Sequence, residues 1–209
     1  MYIPPEFLIT DPDVIHEFLE QNSFGMLTAQ TPSGSLVASH LPFLVEKTDA
    51  GLCFYIHLAN LNELSQLADG SEVLLVFTGE HGYISSSWYG HPNVPTWNYQ
   101  AVHIYGTLQK QTPEELYAQV SRLTRLHEKT VDGHIEPDAL PQRMIQGYLQ
   151  HITGFRIVAH KTEAAFKLSQ NRQPKDFATI LEQLATTQPR LAEEMKKYYV
   201  DPKGETPAY

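Results

Sequence analysis

"FGMLTAQTPSGSLVASHLPFLVE" occupies residues 24–46, and its rhythm decides the fold class. The helical rhythm before it gives way here, and "TPSG" (31–34), whose proline and glycine suit a tight turn, joins 24–30 and 35–46, which are predicted as two strands. Beyond a second turn, "LCFYIH" (52–57) reads as the next strand. "EVLLVFT" (72–78) has the continuous apolar run of a buried strand, followed by strands at "YQAVHIYGTLQK" (99–110) and "ITGFRIVAHKTEAAFKLSQ" (152–170).

Helical signals lie between and after these strands. Asp11 as N-cap, Pro12 at the first helical position and Val14, Ile15, Phe18 and Leu19 on one face predict a helix within 10–22. Leu61, Leu64 and Leu67 suggest a short helix over 60–68. Thr112 with Glu115 makes a capping box for 112–129, whose apolar stripe is Leu116, Val120, Leu123 and Leu126. Two further helical stretches cover 138–150 and 174–199, the latter interrupted at Pro189. Strands at hairpin spacing, with helices inserted late, predict a mainly β fold with helical additions. The expected form is an antiparallel barrel and not a βαβ sheet. Residues 1–173 are expected to form the barrel domain, with 174–209 as a C-terminal helical extension of the same globular unit.

The 209 residues, 42% of them apolar, suit one domain of ordinary size with a real core. Fifteen basic against 24 acidic residues leave a net charge of −9, which repels a polyanion and disfavours direct DNA contact. Arg122, Arg125 and Lys129 share a helix face, but Glu128 interrupts them, and a solvated face is the better reading. Cys53 is the only cysteine, so no internal disulfide forms. "MYIPPEFLIT" lacks the features of an ordinary signal peptide, and no apolar run reaches the roughly 18 residues of a membrane helix. A soluble, cytoplasmic protein without membrane partners is expected.

Several chemistries find no motif. Ser85, Ser86 and Ser87 are not in a G-x-S-x-G elbow, there is no H-E-x-x-H, and no glycine-rich phosphate loop opens a helix. The ten histidines are scattered, and "HEKTVDGH" (127–134) straddles a helix end, so no metal site is expected. The unusual segment is "YISSSWYGHPNVPTWNY" (83–99), which holds both tryptophans, three tyrosines and three serines. Flat rings beside hydroxyls and free backbone N–H groups suit a planar conjugated ligand; an aromatic lid over a barrel end or a dimer seam is the alternative.

"HLPF" (40–43), "GYISSSWY" (82–89), "VPTWNYQAVHIYG" (94–106), "LTRLHE" (123–128) and "KLSQNR" (167–172) occur in that order after "MYIPPEF". Together they resemble the PaiB-like family of FMN-binding negative transcriptional regulators, from residue 1 to about 172. The resemblance implies a six-stranded antiparallel split β-barrel of the FMN-binding kind, similar to pyridoxamine-phosphate oxidases. It also implies a homodimer through the barrel, with FMN at the subunit interface. The family pattern H-x-A-R-x-N falls on "HLANLN" (57–62): His57, Ala59 and Asn62 match, and Asn60 stands where arginine is usual. In related split barrels this region helps hold the FMN phosphate, and a neutral amide does not replace an arginine fork. Lys167, Arg172 or a helix N-terminus near residue 60 would then have to compensate.

The remaining cofactor candidates implied by the matched motifs are His40, Trp88, Trp97, Tyr99, Lys167, Gln170 and Asn171, beside His57, Asn60 and Asn62. The expected function is an FMN-binding regulator or sensor acting indirectly, without DNA contact. Alternatives are a flavin-dependent oxidoreductase of the pyridoxamine-phosphate oxidase-like class, and a cofactor-free or haem-binding scaffold that Asn60 keeps open.

Overall fold

The computed structural model describes residues 1–49, 51–133 and 136–199, so expectations for His134 and for residues 200–209 lie outside the described residues. The chain opens with β1 (Leu8–Ile9) and α1 (Pro12–Gln21), then runs through β2 (Phe24–Gln30), β3 (Leu36–Pro42), β4 (Leu44–Thr48) and β5 (Gly51–Ala59). Two long strands follow, β6 (Glu72–Ile84) and β7 (Thr96–Lys110). Next come α2 (Pro113–Glu128), α3 (Gln142–Leu149), the long β8 (Ile152–Lys167), α4 (Pro174–Thr187) and α5 (Pro189–Tyr198). The mixed architecture, a large antiparallel sheet with helices, is the one the hairpin spacing implied.

Two details of the expected barrel are corrected. The sheet has eight strands and not six. Its hydrogen-bonded path runs β3-β2-β6-β7-β8-β5-β4, with β1 pairing β8, and it is not closed: β3 and β4 are its two ends. The predicted strand 35–46 is in fact two strands, divided at Phe43. Pro42 ends the register with β2 opposite Phe24 and has no N–H to continue a ladder. The amide of Phe43 turns away to donate to the Ser23 carbonyl at 2.8 Å, and its ring goes into the core.

The helix expected over 60–68 is likewise reduced to a single 3-10 turn, Glu63–Gln66. Asn62 caps it, accepting from the Leu64 amide at 3.0 Å, while Leu61 is 99% exposed instead of facing a core. A four-residue turn has no helix dipole of consequence, so the proposed helix N-terminus for phosphate does not exist. In α2 the capping box of Thr112 and Glu115 forms as expected, but Leu126 falls outside the buried stripe.

The chain divides into two compact units. One comprises Met1–Phe18, Thr78–Val102 and the described residues from Glu163 onward. Its core is aromatic at one end: Phe166 meets Phe18 at 5.0 Å and Tyr198 at 5.1 Å, and Phe177 stacks on Tyr199 at 3.7 Å. Here α4 and α5 bury Phe177, Ile180, Leu184, Leu191 and Met195, so these helices belong to this unit's core. Gly82 is required by that packing, because a Cβ there would lie 2.7 Å from Leu191.

The other unit, Leu19–Phe77 and His103–Thr162, holds β2, β3, β4 and β5 whole and parts of β6, β7 and β8. Phe43, Phe54 and Phe77 form its aromatic centre, with ring centroids 4.9–6.3 Å apart. Truncating any of them to Ala would cost about 3–5 kcal/mol.

Candidate functional site

In the first unit, two motifs distant in sequence form one structure. "VPTWNY" opens β7 and "KLSQNR" closes β8. The Lys167 ammonium donates to the Thr96 hydroxyl, and the Asn98 side-chain amide donates to the Ser169 hydroxyl at 3.0 Å and accepts from it at 3.1 Å. Asn98 is fully buried and also donates to the Met195 sulfur at 3.3 Å. Ser169 itself has φ +63°, a left-handed conformation uncommon outside glycine. Gln170 holds that turn with both ends of its amide: its oxygen accepts from the Leu168 amide at 2.7 Å and its nitrogen donates to the Phe166 carbonyl at 2.6 Å.

The third motif joins the same place. "GYISSSWY" leaves β6 through the turn Ser86–Trp88, which packs beside α4. Ser85 caps this turn by accepting from the Ser87 amide, and its hydroxyl lies 2.8 Å from that of Ser87, so two of the three serines are engaged locally. Tyr89 then lies under the Arg172 guanidinium, 5.2 Å from ring centroid to Cζ. Among the described residues, the Tyr89 hydroxyl and Arg172 Nε are both buried without a hydrogen-bond partner. Burial, together with the Arg172 charge, holds the Lys167 ammonium below the usual lysine range. Nearby Asp176, itself buried, accepts from the Gly90 amide at 3.3 Å and lies 3.7 Å from His91.

This corner therefore presents two like charges, a partly desolvated ammonium and two orphaned donors. Buried polar groups are normally satisfied, and an orphan costs about 1–3 kcal/mol. An anionic oxygen is a partner of the kind such donors need. Of the ring candidates, Trp97 meets Tyr83 edge-on at 6.0 Å with both rings well exposed, whereas Trp88 and Tyr99 are half-buried. Asn171 is exposed.

His40, His57, Asn60 and Asn62 belong to the other unit. His40 is exposed on β3, with the Phe24 ring 6.5 Å away in a stacked arrangement. His57 lies on β5 opposite Gly154; its Nδ1 is buried without a partner, and burial pushes its pKa down, favouring the neutral ring. Asn62 donates to the Ser39 hydroxyl at 2.9 Å besides capping its turn. Asn60 is the most engaged: it donates to the Gln150 carbonyl and accepts from the Thr153 hydroxyl, both at 2.8 Å. Its side chain ties the end of β5 to the start of β8.

Sequence reasoning named Lys167 and mentioned Arg172, but passed over Tyr89, Asn98, His91 and Asp176. Asn98 carried a signal: it occupies an inward position of an alternating strand, where a polar residue must find partners. Nothing in the linear pattern shows Arg172 over Tyr89, because 82 positions of chain separate them.

The family described as "Putative FMN-binding domain" matches residues 1–161 of the chain. The "Protease synthase and sporulation protein PAI 2" of Bacillus subtilis is 38% identical over 202 residues, covering 96% of this chain and 97% of that protein. Two solved structures share the fold at low identity. The FAD and heme binding protein from Mycobacterium smegmatis superposes with a TM-score of 0.58 at 14% identity, over 77% of this chain and 73% of that one. The flavocytochrome Anf3 from Azotobacter vinelandii gives 0.57 at 13% identity, over 82% and 75%.

Proposed function

We propose, from the premise that this chain belongs to the FMN-binding family whose model spans residues 1–161, that it holds FMN and works as a flavin-dependent regulator or sensor. The observation that carries this reading is the corner of Lys167, Arg172 and Tyr89, with its orphaned donors and unneutralised charge. A phosphate monoester brings up to two negative charges and several acceptor oxygens, which is the chemistry that corner lacks. Arg172 is held by its stack on Tyr89 and by the Tyr199 hydroxyl donating to its carbonyl at 3.4 Å. Lys167 is positioned by Thr96. The exposed Trp97 and half-buried Trp88 and Tyr99 would supply flat walls. When bound, the flavin would supply one- and two-electron redox chemistry that no side chain offers.

The reading includes a homodimer. Its support is the apolar edge at the β3 end of the sheet, where Leu36 is 78% exposed and Phe24 67%. Regulation without direct DNA contact is favoured by the charge. Beyond the net −9, Arg122 pairs with Glu46, and Arg125 with Glu136 and Asp138 at 3.3 and 2.6 Å, so the arginines of α2 are already neutralised. The reading places the protein in the cytoplasm; no helix among the described residues is long and apolar enough to cross a membrane.

The visible spectrum of the purified protein, before and after incubation with FMN and gel filtration, tests the cofactor. A retained flavin spectrum at about one per chain is expected. A colourless protein that takes up no FMN contradicts the reading. On the same samples, steady NAD(P)H oxidation would move the assignment from sensor to oxidoreductase, and sedimentation at the mass of a single chain would remove the dimer.

A further inference from the structure

Above α2 and the sheet of the second unit lies a cavity of about 270 Å³ that nothing in the flavin reading uses. Its lining includes Tyr55 and Arg156 from β5 and β8, Gln119 and Arg122 from α2, and Lys110 and Gln111 at the end of β7. The volume lies just below the range of about 300–1,000 Å³ that takes drug-sized ligands, so a flavin is too large for it.

The charges of this cavity are unequally satisfied. Glu115 also lines it, but its carboxylate is committed to the helix cap, accepting from the Thr112 amide at 2.8 Å. Arg122 pairs with Glu46 and lies over the Tyr55 ring at 6.0 Å. Burial tends to raise the Glu46 carboxyl, but hydrogen bonds from Tyr55 and Arg122 outweigh it and keep the group ionised. Tyr55, by burial and by its bond to Glu46, is pushed up to about 12 and keeps its proton. That leaves Arg156, which feels the Glu46 charge without pairing with it. Among the described residues its Nη2 donates to the Cys53 sulfur at 3.4 Å, a weak acceptor, and its Nε is buried with no partner. Neither Arg156 nor Lys110 forms an ion pair among the described residues.

The Arg156 guanidinium lines the cavity with no carboxylate paired to it, so it is the group that an oxyanion entering there would meet. Gln111 at the rim and the Tyr55 ring would contact the remainder of a small molecule. We propose that this cavity is a second binding site, for a small metabolite whose carboxylate or phosphate is taken by Arg156 and Lys110, with the Tyr55 ring against its body. The site is independent of the flavin, and it gives the chain a place to read an anionic effector.

The test uses the full chain, with inorganic phosphate and benzoate titrated separately at constant ionic strength set by chloride. The signal is the Nε–Hε resonance of Arg156, identified by its absence in Arg156→Lys. At least one probe is expected to shift it saturably, and the probe that saturates at lower concentration identifies the preferred head group. Arg156→Lys keeps the charge but loses the fork, and should weaken binding about tenfold or more when followed by calorimetry. Lys110→Gln, at an exposed position, should weaken it by a few-fold. No saturable shift with either probe overturns the proposal, as does unchanged affinity in both variants. If Arg156→Lys does not melt cooperatively, Lys110→Gln decides alone, and affinity equal to the native protein's overturns the site. Flavin absorbance recorded on the same samples keeps failure of this site separate from failure of the flavin reading.

Discussion

Two corners of the molecule carry family motifs with polar residues, and the structure treats them differently. At the end of β5, Asn60 and Asn62 have their side-chain amides engaged: with Gln150 and Thr153 in one case, with Ser39 and Leu64 in the other. At the end of β8, Lys167 and Arg172 lie close enough for one charge to disturb the other, and Arg172 Nε and the Tyr89 hydroxyl have no partner. A polar side chain that is satisfied internally holds the fold, whereas a buried and unsatisfied one, as His57 Nδ1 also is, calls for an explanation. By that criterion Asn60 and Asn62 are structural in effect.

The comparison breaks most readily on affinity. Arg172→Gln and Lys167→Gln should each weaken FMN binding by about tenfold or more, and the pair by about a hundredfold, as followed by quenching of flavin fluorescence. Binding left intact in the double variant would put the phosphate elsewhere. Asn98→Ala comes next. It leaves Ser169 buried without its partner at a strained turn, and should cost about 2–3 kcal/mol in denaturant unfolding. A cost within experimental error would mean that the two motifs are not held together there.

Asn60→Ala sharpens the contrast from the other side. It removes two hydrogen bonds of 2.8 Å at an exposed position and should cost about 1 kcal/mol, with flavin affinity changed by less than twofold. A large loss of flavin with little loss of stability would reverse the roles of the two corners. The smallest effect concerns pH. His57 has a folded pKa below its ordinary value of about 6.5, so the unfolded chain takes up a proton that the folded chain refuses. The contribution is full above about pH 6.5 and is lost as pH falls through that value towards the lower, folded pKa. His57→Gln should therefore lose less stability than the native protein between pH 7 and pH 5, as chemical denaturation at each pH would reveal.

Much of this was legible in the sequence, for reasons the particular residues make plain. The β2–β3 hairpin follows from two strand-like runs around a proline–glycine turn, and α2 from Thr112 and Glu115, because both are local signals. The division at Phe43 was not legible, since an apolar residue suits a strand and a core equally. The proposed helix at 60–68 failed because three leucines at helical spacing do not outweigh an asparagine that caps at Asn62. Lys167 and the aromatic segment were visible as motifs, but the Lys167–Thr96 and Arg172–Tyr89 contacts join residues more than seventy positions apart. Which polar groups are left unsatisfied is a property of the folded chain alone.

The most direct measurement is a pair of titrations of the flavin-free protein, one with FMN and one with riboflavin, which differs only in lacking the phosphate. If Lys167 and Arg172 hold that phosphate, FMN binds at least about tenfold more tightly, and Arg172→Gln narrows the gap. Equal affinity for the two flavins in the native protein would contradict the account.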